Sequence, residues 1–193
     1  MRFMENVWQD AFGSAYPQWE AVIRHLGWHS MLAAVGYALA GALCCVSGLA
    51  TRRAGGSGGG WFLAAALLAL IGANELARLD LLVIYLLRAA AHAQGWYEHR
   101  RDRQLAALGA LAVAGLLALG WLRTRLRAVW TRCPGAVLGV GLLAWVAALR
   151  ALSFHDIDRA FDVHLLGVSS GRLLELAGLG LTAAGALRWS RSA

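Results

Sequence analysis

The chain has 193 residues, 59% hydrophobic and 15% charged, and its apolar residues run in long blocks, a composition that excludes an ordinary soluble domain and reads as a membrane protein. All 18 basic residues are arginine, against 11 acids, and they gather at the ends of the apolar blocks. That placement excludes nucleic acid, which asks for a basic face with stacking aromatics, and makes membrane lipid the partner.

Residues 1–28 carry an apolar stripe at helical spacing, Phe12, Ala15, Trp19, Val22 and Leu26, with Trp8, Tyr16 and Trp28 nearby. The pattern predicts an amphipathic helix lying in the outer membrane interface, with Pro17 a candidate break. The opening MRFMENVWQD lacks the basic start and immediate apolar core of a cleaved signal, so the first apolar block reads as a retained span.

Residues 29–193 then form a single transmembrane bundle. Five blocks, 29–50, 61–87, 104–122, 135–153 and 170–187, are long enough to cross a hydrocarbon layer of roughly 30 Å. The predicted fold is therefore all-α, a polytopic transmembrane helical bundle, because helices alone satisfy their own backbone in lipid. Between the first two blocks, GGSGGG at 55–60 reads as a flexible linker without a phosphate-loop signature. RTRLRAVWTRC at 123–133 reads as a short lipid-facing loop. Glycines 135, 139, 171, 178, 180 and 185 offer small surfaces for close approach of the fourth and fifth spans. Cys44, Cys45 and Cys133 have neither metal-knuckle nor C-x-x-C spacing.

Alternating spans sort the arginines onto two sides. Arg52, Arg53, Arg123, Arg125, Arg127, Arg132, Arg188 and Arg191 lie on one side, in short segments with no acid. The other side spreads its arginines over longer segments balanced by acids. The denser side is assigned to the cytoplasm, which puts the N-terminus outside and the C-terminus inside. In a bacterial inner (cytoplasmic) membrane, the polar face looks into the periplasm. The lysine-free, Ala-, Leu-, Gly- and Arg-rich composition fits a chain from a GC-rich genome.

Ionisable residues within spans are expensive, about 2.5–3.5 kcal/mol each, and mark either function or a compensating pair. Glu75, Arg78 and Asp80 fall in the second span, Arg150 in the fourth, and Arg172 and Glu175 in the fifth. Counted from the cytoplasmic ends at about 1.5 Å per residue, Glu75, Arg150 and Glu175 share one layer roughly 20–22 Å deep. Arg78 and Arg172 lie slightly farther out, and Arg172 and Glu175 stand at i, i+3.

Above that layer runs LRALSFHDIDRAFDVH, residues 149–164, in which His155, Asp158 and Asp162 share a helical face. Histidine with carboxylates is ligand chemistry for a divalent metal, Zn, Mn, Fe or Cu, although the spacing matches no established signature. The competing reading is a solvated helix end. The loop GWYEHRRDRQ adds Trp96 and Tyr97 to the same side.

Two functions remain open. In one, a membrane-embedded enzyme acts on a lipid-linked or small anionic substrate, with Glu75, Asp80, Arg150, His155 and Glu175 as catalytic groups and Arg78, Arg172, Trp96 and Tyr97 as substrate contacts. In the other, the chain is a non-catalytic subunit or assembly partner of a membrane complex, and the same charges are interhelical ion pairs.

Overall fold

The computed structural model describes residues 2–95, 127–151, 163–165 and 168–192, with isolated residues between 106 and 124. Among the described residues the fold is all-α apart from one two-residue strand pair. Helices α1 (Arg2–Arg24), α2 (Trp28–Arg53), α3 (Gly59–Ala77) and α4 (Leu79–Ala93) are followed by the short α5 (Arg127–Arg132) and by α6 (Pro134–Ala151). Strands β1 (His164–Leu165) and β2 (Val168–Ser169) pair antiparallel and lead into α7 (Ser170–Ser192).

Two of these helices, α2 and α3, are long and apolar enough to cross a membrane. Helix α6 is apolar but shorter, and α7 carries Arg172 and Glu175 near one end and Arg188 and Arg191 near the other. The expected span at 104–122 falls mostly outside the described residues; those of it that are described are helical.

The first helical hairpin owes its tightness to glycine. Gly55 and Gly58 have φ of +83° and +60°, left-handed values that cost other residues energy. A Cβ on Gly58 would also stand 2.5 Å from the Gly48 carbonyl oxygen. The 55–60 segment is thus a specific turn rather than a slack linker. At Gly72 a Cβ would meet the Tyr37 Cβ at 2.8 Å, which brings the α2 and α3 backbones together beside Tyr37.

The predicted continuous span 61–87 is instead two helices. At Arg78 the backbone turns left-handed, φ 47° and ψ 42°, ending α3 and starting α4. No proline or glycine marks the place. Side chains secure it: the Asn74 Oδ1 accepts the Asp80 amide at 3.2 Å, and the Trp19 indole donates to the Ala77 and Arg78 carbonyls at 2.9 and 3.1 Å. The Arg78 carbonyl also accepts the Leu81 and Leu82 amides of α4, at 3.1 and 3.3 Å, so the indole bond adds to partners it already has, whereas at Ala77 and Asp80 the side chains meet backbone groups exposed by the break.

That indole also places α1. The helix is unbroken through Pro17 and packs along α4, where Ala11, Ala15, Ala90 and Ala91 are buried. Of the expected stripe, Ala15 is buried and Trp19, Val22 and Leu26 are half-buried, while Phe12 is exposed and Ala11 takes the inward place beside it. Trp8, Phe12 and Tyr16 face outward on one side of the helix.

Helices α6 and α7 meet through Gly139, Gly178 and Gly185. A Cβ at Gly139 would collide with Thr182 Oγ1 and the Gly178 carbonyl, and one at Gly185 would stand 2.6 Å from the Ala136 Cβ. The core runs between these helices and the α2–α3 hairpin, through Tyr37, Cys44, Trp61, Leu68, Val140 and Leu143. One side of α2 belongs to this core, and Ser47 donates across to the Ala186 carbonyl at 2.8 Å. Trp189 closes the arginine-rich end by donating to Thr51 Oγ1 at 2.7 Å.

Candidate functional site: a four-charge ring

Near the opposite end of the bundle, Glu75 from α3, Arg150 from α6 and Arg172 and Glu175 from α7 come together. Glu75 and Arg150 each lie roughly 24 Å from the start of their helix at about 1.5 Å per residue, so equal helix lengths bring them level. Arg172 and Glu175 reach the same layer from the first turns of α7.

The four side chains form a closed ring of alternating charge. Arg150 Nη1 donates to Glu75 Oε1 at 2.9 Å and to Glu175 Oε1 at 2.8 Å. Arg172 Nη2 donates to Glu75 Oε2 at 3.2 Å, and its Nη1 donates to Glu175 Oε2 at 2.5 Å. Every carboxylate oxygen therefore accepts from a guanidinium, and the formal charges cancel. The Glu75 and Glu175 side chains are only 8% and 3% exposed, whereas both arginines remain about a quarter exposed.

Tyr37 completes the arrangement from a fourth helix, its hydroxyl donating to Glu175 Oε1 at 3.1 Å. Sequence reading missed Tyr37. Its depth, near the middle of an apolar block, was the available signal, because a buried phenol needs an acceptor. Arg150 uses Nη1 alone; its Nε and Nη2 have no hydrogen bond to a described residue.

The other expected members separate from the ring. Arg78 sits at the helix break, and its nearest acid is Asp80, Nε to Oδ1 at 3.6 Å. That buried Asp80 oxygen has no hydrogen bond among the described residues. The break explains the separation: with α3 ending at Ala77, Arg78 no longer follows Glu75 along one helix. His155, Asp158 and Asp162, the expected metal ligands, lie outside the described residues, as do Trp96 and Tyr97. Among the described residues, no three His, Cys, Asp or Glu side chains group closely enough to hold a metal.

Chemically, the ring holds charges in place more than it offers them. Both carboxylates accept from guanidiniums at both oxygens, and the arginines are the more exposed members of the ring. The chain matches no protein-family model, no curated protein and no solved structure.

Proposed function

We propose that the chain is an integral membrane protein of the bacterial inner membrane, built of five spans with the N-terminus outside and the C-terminus in the cytoplasm. Its four-charge ring fastens the bundle, and it serves as a non-catalytic subunit or assembly partner of a larger membrane complex. The observation that carries this reading is the closure of the ring. All four oxygens of Glu75 and Glu175 accept from Arg150 or Arg172, an arrangement suited to fixing the register of three helices.

The membrane setting is supported by α2 and α3 and by the large apolar side chains the bundle turns outward, such as Leu39 at 62% and Leu70 at 68% exposure. Such a surface is unfavourable in water and at no disadvantage in lipid.

Replacing the ring by apolar residues of similar size separates fastening from catalysis. The variant Glu75→Leu, Arg150→Met, Arg172→Met, Glu175→Leu is expected to fold in the membrane and to complement a deletion strain. A folded variant that fails to complement would overturn the fastening role.

A second reading rests on Arg150, whose Nε and Nη2 have no hydrogen bond to a described residue and whose side chain is partly exposed. In this reading Arg150 and Arg172 receive a lipid-linked or small anionic substrate, with Arg78, Trp96 and Tyr97 around it. His155, Asp158 and Asp162 hold a divalent metal, and Glu75, Asp80, His155 and Glu175 serve the reaction. Elemental analysis of the purified protein tests it: stoichiometric Zn, Mn, Fe or Cu lost in His155→Ala supports this reading, and metal-free wild type removes its metal.

A further inference from the structure

A cleft of about 380 Å³ lies between α1 and α4, away from the ring. Asp10, Ser14 and Gln18 line one wall at i, i+4 and i+8 of α1, while Tyr85, Arg88 and His92 line the other at i, i+3 and i+7 of α4.

The walls differ in hydrogen-bonding sense. On α1, the Ser14 hydroxyl donates to the Ala11 carbonyl at 2.9 Å and the Gln18 amide nitrogen donates to the Ser14 carbonyl at 3.0 Å. The Ser14 proton and one of the two Gln18 amide protons are used on the helix itself, so this wall is predominantly an acceptor, offering the Asp10 carboxylate, Ser14 Oγ and Gln18 Oε1. On α4, the Arg88 guanidinium and the Tyr85 phenol supply donors. Although Asp10 and Arg88 line the same cleft, neither forms an ion pair with a described residue.

We infer that this cleft binds a zwitterion carrying a primary ammonium and a phosphate, the phosphoethanolamine group, with the ammonium on the Asp10 wall and the phosphate on the Arg88 wall. A primary ammonium has N–H donors for the three oxygens of α1. A quaternary ammonium has none and favours an aromatic cage, which the α1 wall lacks. Arginine matches phosphate through paired N–H donors. The group arrives either on a phospholipid or as a free solute, and the cleft chemistry is the same for both. The inference does not depend on what the ring does.

Binding to the full-length chain in mild detergent is measured by calorimetry for O-phosphoethanolamine and phosphocholine, and by native mass spectrometry for phosphatidylethanolamine and phosphatidylcholine. The ethanolamine form is expected to bind about tenfold or more tightly than its choline counterpart, and Asp10→Asn and Arg88→Gln each to weaken it by about tenfold or more. Glu20→Gln, elsewhere on α1, should bind as wild type does. Binding of the lipid alone assigns a headgroup site, and binding of the soluble compound assigns a solute site. Ethanolamine and choline forms binding equally, no binding of either ethanolamine form, or wild-type affinity in both cleft variants would overturn the inference. Because the wild-type ligand comparison is made first, a variant that fails to fold leaves the proposal exposed to refutation.

Discussion

Within the ring, each charge is tolerated because its neighbours are opposite. Glu75→Gln leaves two guanidiniums facing one carboxylate in a poorly solvated layer, and breaking a buried pair in this way typically costs about 3–5 kcal/mol. Arg172→Gln does the same with the sign reversed. The double variant restores neutrality around the remaining Arg150–Glu175 pair, 2.8 Å apart, and should cost less than the sum of the singles by roughly 0.5–3 kcal/mol. Unfolding measurements on the three variants in one detergent check this; strict additivity would mean that the four groups do not act as a unit. Tyr37→Phe is the mild case. Glu175 Oε1 keeps its bond from Arg150, so the loss should be near that of one hydrogen bond, about 1 kcal/mol.

At the scale of elements, the break at Arg78 decides where two helices point. A left-handed arginine costs about 1–2 kcal/mol relative to an ordinary helical conformation, a cost glycine avoids. Arg78→Gly should therefore be more stable than Arg78→Ala by about 1 kcal/mol, the reverse of the order inside a regular helix, where alanine is favoured by about that amount. Thermal melts of the two variants measure the sign directly, and alanine above glycine would mean that residue 78 is not left-handed in solution. Trp19→Phe tests the other support. It removes the indole bonds to the Ala77 and Arg78 carbonyls and with them a tie from α1, so hydrogen exchange should quicken around the break.

The same break shows what sequence could and could not convey. The starts of α2, α6 and α7 were legible to within a residue, whereas α2 and α7 run three and five residues past the expected ends at 50 and 187, through the arginines taken to close them. The ring was legible because helix rise converts residue number into depth, and Glu75, Arg150 and Glu175 fall at one depth by that count. Arg78 was not legible: hydropathy averages over a window, and Ala77-Arg78-Leu79 contains no residue that forces a turn. The polar residues that hold it, Asn74, Asp80 and the distant Trp19, become meaningful only once α1 is known to lie along α4. Tyr37 was hidden for a related reason, since one tyrosine in an apolar block does not reveal its acceptor on another helix.

For the molecule as a whole, the question is what covers its outward apolar surface, and Cys45 reports on it. Adjacent Cys44 is buried in the core while Cys45 is exposed on α2, well inside a 26-residue helix apolar enough to span a membrane. If water bathed that face, a charged, membrane-impermeant maleimide would reach Cys45 readily. In lipid the thiol meets neither the reagent nor the water that would ionise it. Cys133, just before α6, is the competing thiol; it is partly buried, and burial pushes its pKa upward despite Arg188. In a Cys133→Ser background, intact membranes should show slow labelling of Cys45 by the charged maleimide and fast labelling by a neutral, lipid-soluble one. A Gly59→Cys variant at the turn end of α3 should react with both once the membranes are opened. Equal labelling of Cys45 by the two reagents in sealed and opened membranes would place that face in water, and with it remove the membrane setting from which the fastening role of the ring is argued.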